Sequence, residues 1–184
     1  TFSGAVVRDL TINMATGILT NVALTIYGSV TTTAGTLNSG TSTWTFAATS
    51  GTKTLNTNGL TWDFFIVFNG AGGTWQVVGN VTVGATRVTT LTAGTLDFNN
   101  FVWQTGTFAS SNTNIRTLAF GTTGRIDFSH TTTETLLILT TTTNLTITGT
   151  PAMGVVGAGG QSRVITNGAA VSEATAWDLD RKST

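Results

Sequence analysis

Cysteine is absent from this chain of 184 residues, so neither a disulfide nor a thiolate metal site contributes to it. There is one proline, Pro151, and one histidine, His130. Charge is sparse, with 8 basic and 8 acidic side chains and a net charge of zero. Nucleic-acid binding needs a basic stripe to neutralise phosphates, and none exists, so no nucleic-acid partner is expected. No stretch reaches the ~18 uninterrupted apolar residues of a membrane helix, so no membrane insertion is expected either. A basic-then-apolar leader is also missing. The chain opens on Thr1 in full repetitive texture, which predicts a segment of a longer protein.

Roughly a quarter of the residues are threonine, with 22 glycines, 10 phenylalanines and 5 tryptophans. Hydrophobic residues make up 40%, enough to exclude a disordered polar tract. Branched and aromatic side chains favour strands. Alternation of period two recurs at Val81-Thr82-Val83, Thr95-Leu96-Asp97-Phe98 and Asn144-Leu145-Thr146-Ile147-Thr148. Between these lie Ser50-Gly51, Asn58-Gly59 and Gly72-Gly73, pairs that tolerate positive φ and form turns. A helical pattern is plausible only over 169–177. Arg163, Glu173, Asp178, Asp180, Arg181 and Lys182 crowd charge toward the end. The expected organisation is a Thr/Gly-rich β-repeat domain over 1–168 and a charged tail or cap over 169–184.

One phrase occurs three times: Gly59-Leu60-Thr61-Trp62-Asp63-Phe64, Gly94-Thr95-Leu96-Asp97-Phe98 and Gly124-Arg125-Ile126-Asp127-Phe128. Its spacing of 34 and then 30 residues lies in the range of stacked supersecondary units. Thr-Leu-x-x-Gly is a second theme, at 36–40 and 90–94. An all-β fold follows, and two architectures fit: a β-solenoid with two or three strands per coil, or a β-sandwich of ten or more antiparallel strands. Repetition and abundant Thr and Asn favour the solenoid, where like residues stack from coil to coil.

Candidate chemistry is thin. Alternation places Asp63, Asp97 and Asp127 opposite their apolar neighbours, outward from the core. Were the three in one column, they would offer calcium oxygen ligands or a glycosidase acid pair, but neither an EF-hand nor a calcium-repeat loop is present. They read better as a ruler of the repeat than as a site. His130 has Ser129 beside it and Glu134 nearby, without a nucleophile elbow, and reads as a surface or turn histidine. Gly154 to Gly160 and Gly70 to Gly73 look like dinucleotide loops but lack the following helix, so both read as turns. Trp44, Trp62, Trp75 and Trp103 would serve as sugar platforms if exposed, yet their apolar neighbours at two-residue spacing favour the core. Asn80 and Asn144 begin glycosylation-type triplets, which chance readily produces in a chain so rich in threonine. No catalytic residue, cofactor or metal is expected.

Thr43 to Leu55, Phe68-Asn69-Gly70-Ala71-Gly72-Gly73-Thr74-Trp75 and Val81 to Arg87 carry a distinctive wording that continues through 110–114 and 116–121. It resembles a group of Thr/Gly-rich, low-charge repeat proteins of phages and aquatic bacteria, regarded as β-helix-like virion appendages or surface proteins. The resemblance implies a non-enzymatic structural protein of a virion (fibre, spike or capsid decoration). It would be homo-oligomeric and bound to other virion or surface proteins. A bacterial surface adhesin or glycan-binding module, extracellular and contacting host glycans, is the alternative.

Overall fold

A computed structural model describes residues 4–20, 22–130, 135–156, 164–167 and 178–180, the last two stretches as backbone. The described residues form 17 strands and no helix. Every strand pairing is parallel, and partners lie about one coil apart in the sequence. This is a β-solenoid. The antiparallel sandwich is set aside, because a hairpin cannot give parallel neighbours.

Each coil crosses three walls. The first wall stacks Ala5–Val7, Leu24–Ile26, 43–46, 65–68, 88–91, Thr107–Ala109, Thr135–Leu139 and Val164–Asn167. The second stacks 10–12, 30–32, Thr52–Asn56, 74–77, 94–97, Arg116–Ala119 and Leu145–Thr148. On the third lie 18–20, 36–38, 61–63, Val81–Val83, Val102–Thr105, Arg125–Phe128, Ala152–Val155 and Asp178–Asp180. The last of these strands falls within the expected tail, whereas the helical pattern of 169–177 lies outside the described residues.

Strand alternation sends every second side chain inward, where identical register builds continuous apolar columns. One runs Ala5, Leu24, Trp44, Ile66, Thr89, Phe108, Leu137. Another runs Val81, Trp103, Ile126, Met153. Aromatic rings meet across coils: Trp44 stacks on Phe64 at 4.0 Å and Phe46 on Phe68 at 5.0 Å, while Phe98 meets Phe120 at 4.7 Å with the rings tilted by 40°. Such pairs add about 0.5–1.5 kcal/mol each to the burial of their area. Internal threonines serve the indoles: Trp62 Nε1 donates to Thr32 Oγ1 at 3.2 Å, and Trp103 Nε1 to Thr89 Oγ1 at 3.0 Å.

Corners are pinned by asparagine. Asn58 and Asn99 adopt φ 47° and Asn144 φ 59°, a left-handed conformation that asparagine tolerates better than other side chains. Their Nδ2 groups donate to the preceding coil, at Thr32 O, Val77 O and Thr113 O. Ser50-Gly51 and Asn58-Gly59 turn as expected, with Gly51 and Gly59 at positive φ, whereas Gly72, also at positive φ, lies within the strand Thr61–Val77 and not in a turn between strands. Gly70 and Gly73 differ from a loop: they lie within the strand Thr61–Val77, where a Cβ would fall 2.0 and 1.9 Å from Ala48 O. Gly154 likewise sits in the strand Ala152–Val155 and not in a turn, while 157–160 lie outside the described residues.

The coil, however, is not the 34- and 30-residue unit. Register steps are 19 residues from Ala5 to Leu24, 22 from Trp44 to Ile66 and 29 from Phe108 to Leu137. From Asp63 to Asp97 the chain makes one coil and crosses two further walls; from Asp97 to Asp127 it makes one coil and crosses one further wall. The repeated phrase marks strand entry on whichever wall comes next.

Candidate functional site

The three aspartates do not form a column. Asp63 and Asp127 belong to the third wall, three rungs apart and in different columns, and Asp97 belongs to the second. Each has its own local partner. Asp63 takes a bidentate bond from Arg87, Nε–Oδ1 2.7 Å and Nη2–Oδ2 3.2 Å, and the guanidinium also lies 5.6 Å from the Phe65 centroid. Asp97 accepts from Gln76 Nε2 at 2.7 Å and from Asn99 N at 2.8 Å. Asp127 Oδ2 accepts from Arg125 Nη2 at 2.9 Å. Asp127 departs from the expected outward, solvated role, for it is only 3% exposed. No group of three or more His, Cys, Asp or Glu among the described residues is arranged to hold a metal.

Trp44, Trp62, Trp75 and Trp103 are fully buried, as their two-residue apolar spacing predicts. None of these four is a sugar platform. Ser129 is buried and its Oγ donates to Thr105 O at 3.4 Å, a tie between neighbouring coils. His130 is half-buried, and Glu134 lies outside the described residues. Asn144 spends its amide on Thr113 O, and Asn80 Oδ1 accepts from Val102 N at 3.0 Å.

The outer surface is organised as ladders. On the second wall Thr52, Thr74, Thr95, Thr117 and Thr146 stand in one unbroken register column. Strand spacing sets their hydroxyls and methyls at a repeat of about 4.8 Å. The first wall turns Val6, Thr25, Thr45, Val67, Thr90, Ala109 and Ile138 outward, again without a charge. Ladders of uncharged β-branched residues keep strand propensity and leave a flat face that repels no copy of itself.

Sequence reasoning passed over Arg116, which is wholly buried without an acidic partner. From Thr89 to Gly94 the corner between first and second walls takes five positions, and from Phe108 to Arg116, their partners one coil on, it takes eight. The side chain fills that wider corner. Nε donates to Ser110 Oγ (2.7 Å), Nη1 to Asn114 O and Thr143 O (both 2.8 Å), and Nη2 to Ser110 O (3.1 Å) and Thr141 O (2.6 Å). All five donors are used, and two successive corners are tied together. Burial pushes the guanidinium below its ordinary pKa, and the carbonyl dipoles stand in for an anion. The clue in the sequence is an arginine between the Ser/Asn/Thr runs 110–114 and 140–144, with no acid from 98 to 126.

No family model, curated protein or solved structure matches this chain.

Proposed function

We propose that the chain is a non-enzymatic structural protein, a segment of a virion fibre, spike or capsid decoration that works by assembly and surface presentation. The observation that carries this reading is the pair of uncharged outward ladders on the first and second walls, built over a core that contains four tryptophans. A rigid stack of parallel strands faced with uncharged ladders is suited to lie against copies of itself. Uncharged ladders lose no charge solvation on packing, and Asp97 of the second wall is already bonded to Gln76 and Asn99. Size-exclusion chromatography with light scattering, followed by electron microscopy of the native particle, tests the reading. A trimer supports a fibre or spike, and a helical array supports a filament. A monomer that forms no array at high concentration refutes it.

An adhesin or glycan-binding module is the second reading, favoured by the five-threonine column, whose regular hydroxyls suit a repeating partner. Binding of a glycan by the isolated chain, lost on Thr95→Lys, would move the assignment there.

A further inference from the structure

The first wall differs from the other two in charge. Its strands from Ala5–Val7 to Thr135–Leu139 contain no Asp, Glu, Lys or Arg. The second wall carries Lys53, Asp97 and Arg116, and the third Asp63, Arg125 and Asp127. On the first wall's outward column Val6 is 69% exposed, and the positions from Thr25 to Ile138 are half-buried by the rungs above and below. At the flank of this wall, the Arg87 guanidinium near the Phe65 ring is already spent on Asp63. A face of Val, Thr, Ala and Ile gains by giving up its water, and nothing charged resists that loss.

Two features say what covers it. The first is spacing. Rungs repeat at about 4.8 Å, and only a surface with the same repeat interlocks with all of them. A helix, at about 5.4 Å per turn, drifts by about 0.6 Å at every rung, whereas another parallel stack stays in step. The second feature is the order of side chains. From Val6 to Ile138 the column reads Val, Thr, Thr, Val, Thr, Ala, Ile, which is nearly the same in both directions. Turned end for end about Val67, Val6 meets Ile138, Thr25 meets Ala109, Thr45 meets Thr90, and Val67 meets its own copy. Such self-complementarity is what a two-fold contact requires. Pairing each rung with its own copy would instead set Ala109 on Ala109 beside Ile138 on Ile138, a hollow next to a bulge, which close packing disfavours.

We propose that the first wall is the face by which two copies of this chain pair, end for end, about a two-fold axis at Val67. This rests on the assembling, structural reading above and adds the face and the orientation. Two or three outward positions on each of the rungs from Val6 to Ile138 cover about 450–700 Å² per copy. The total of about 900–1,400 Å² reaches only the lower edge of stable specific interfaces, so the pairing is micromolar or weaker. The strand Val164–Asn167 continues the wall beyond the paired length, and the threonine column of the second wall stays free for another neighbour.

The test takes the whole chain, whose lack of cysteine lets single cysteines be placed at will. Sedimentation velocity at rising concentration should show self-association with a dissociation constant of order 10⁻⁶–10⁻⁴ M. A short bismaleimide should join Val67→Cys to itself. It should not join Val6→Cys to itself, but should join Val6→Cys to Ile138→Cys in an equimolar mixture. Val67→Lys sets two ammonium groups against each other across the axis and should weaken association at least about tenfold. Thr95→Lys, on the second wall, should leave the Val67→Cys cross-link in place. If Val67→Lys fails to fold in thermal melts, the cross-links alone decide. Self-cross-linking of Val6→Cys overturns the proposal in favour of pairing rung on like rung. Association that persists in Val67→Lys, or without a Val67→Cys cross-link, overturns the face but leaves the structural reading standing, because the copies then meet elsewhere. A chain still monomeric at about 1 mM overturns both.

Discussion

Replacing Arg116 by methionine retains a long, flexible side chain and removes all five hydrogen bonds to the corners at 110–114 and 141–143. Two effects oppose each other. Taking the uncompensated cation out of the interior relieves its desolvation, which by itself favours the variant. Against this, acceptors lose their donors. Asn114 and Thr143 are exposed residues whose carbonyls water can reach, but Ser110 is wholly buried and Thr141 half-buried. Leaving two such carbonyls unanswered costs about 1–3 kcal/mol each. We expect the second effect to win, with a net loss of about 3 kcal/mol, or a fall in melting temperature of about 6–12 °C for a chain of this length. Arg116→Lys keeps the charge with only three donors and should fall between. Calorimetry gives the order, and hydrogen exchange gives the place. The amides of Ser110, bonded to Ile138 O, and Arg116, bonded to Asn144 O, should lose protection before the coils on the N-terminal side. A methionine variant as stable as wild type, with lysine the least stable, would refute the reasoning, because desolvation of the charge would then outweigh the hydrogen bonds.

Gly73→Ala should cost about 3 kcal/mol in denaturant midpoint, because the new Cβ meets the Ala48 carbonyl, which belongs to the backbone and cannot rotate away. Trp103→Phe should destabilise more than Trp75→Phe by about 1–2 kcal/mol, since only Trp103 loses a hydrogen bond, to Thr89 Oγ1; equal losses in thermal melts would count against a role for the internal threonines. Asn99→Ala should lose about 1–2 kcal/mol by giving up the bond to Val77 O and by straining φ 47°, and Asn99→Gly should recover the conformational part in the same melts.

Much of this fold was legible in the chain. Period-two alternation around Trp62, Phe64, Leu96 and Phe98 identifies strands and their inner faces, and Ser50-Gly51 or Asn58-Gly59 identifies turns, because these depend only on neighbours along the chain. Coil length was not legible. It is set by register between strands, and corners that take five positions in one coil and eight in the next blur any fixed period. Asp97 reads like Asp63 for that reason, although the two stand on different walls. Arg116 escaped notice because its partners are backbone carbonyls, which leave no mark in the amino-acid code. Asp127 escaped for another reason: its burial depends on which residue the next coil places beneath it.

Unequal corners also mean that the coils are not interchangeable parts. Asn99 meets Val77 O across 22 residues, and Asn144 meets Thr113 O across 31. A coil duplicated elsewhere in the stack would carry its walls along intact, since Thr and Val fit almost any rung. Its corner amides and the arginine at 116 would then be offered carbonyls at the wrong height. Lengthening such a rod by gene duplication is therefore limited at its edges: new coils must be rebuilt corner by corner. The finished chain carries its own serial order, each rung accepting one predecessor and one successor.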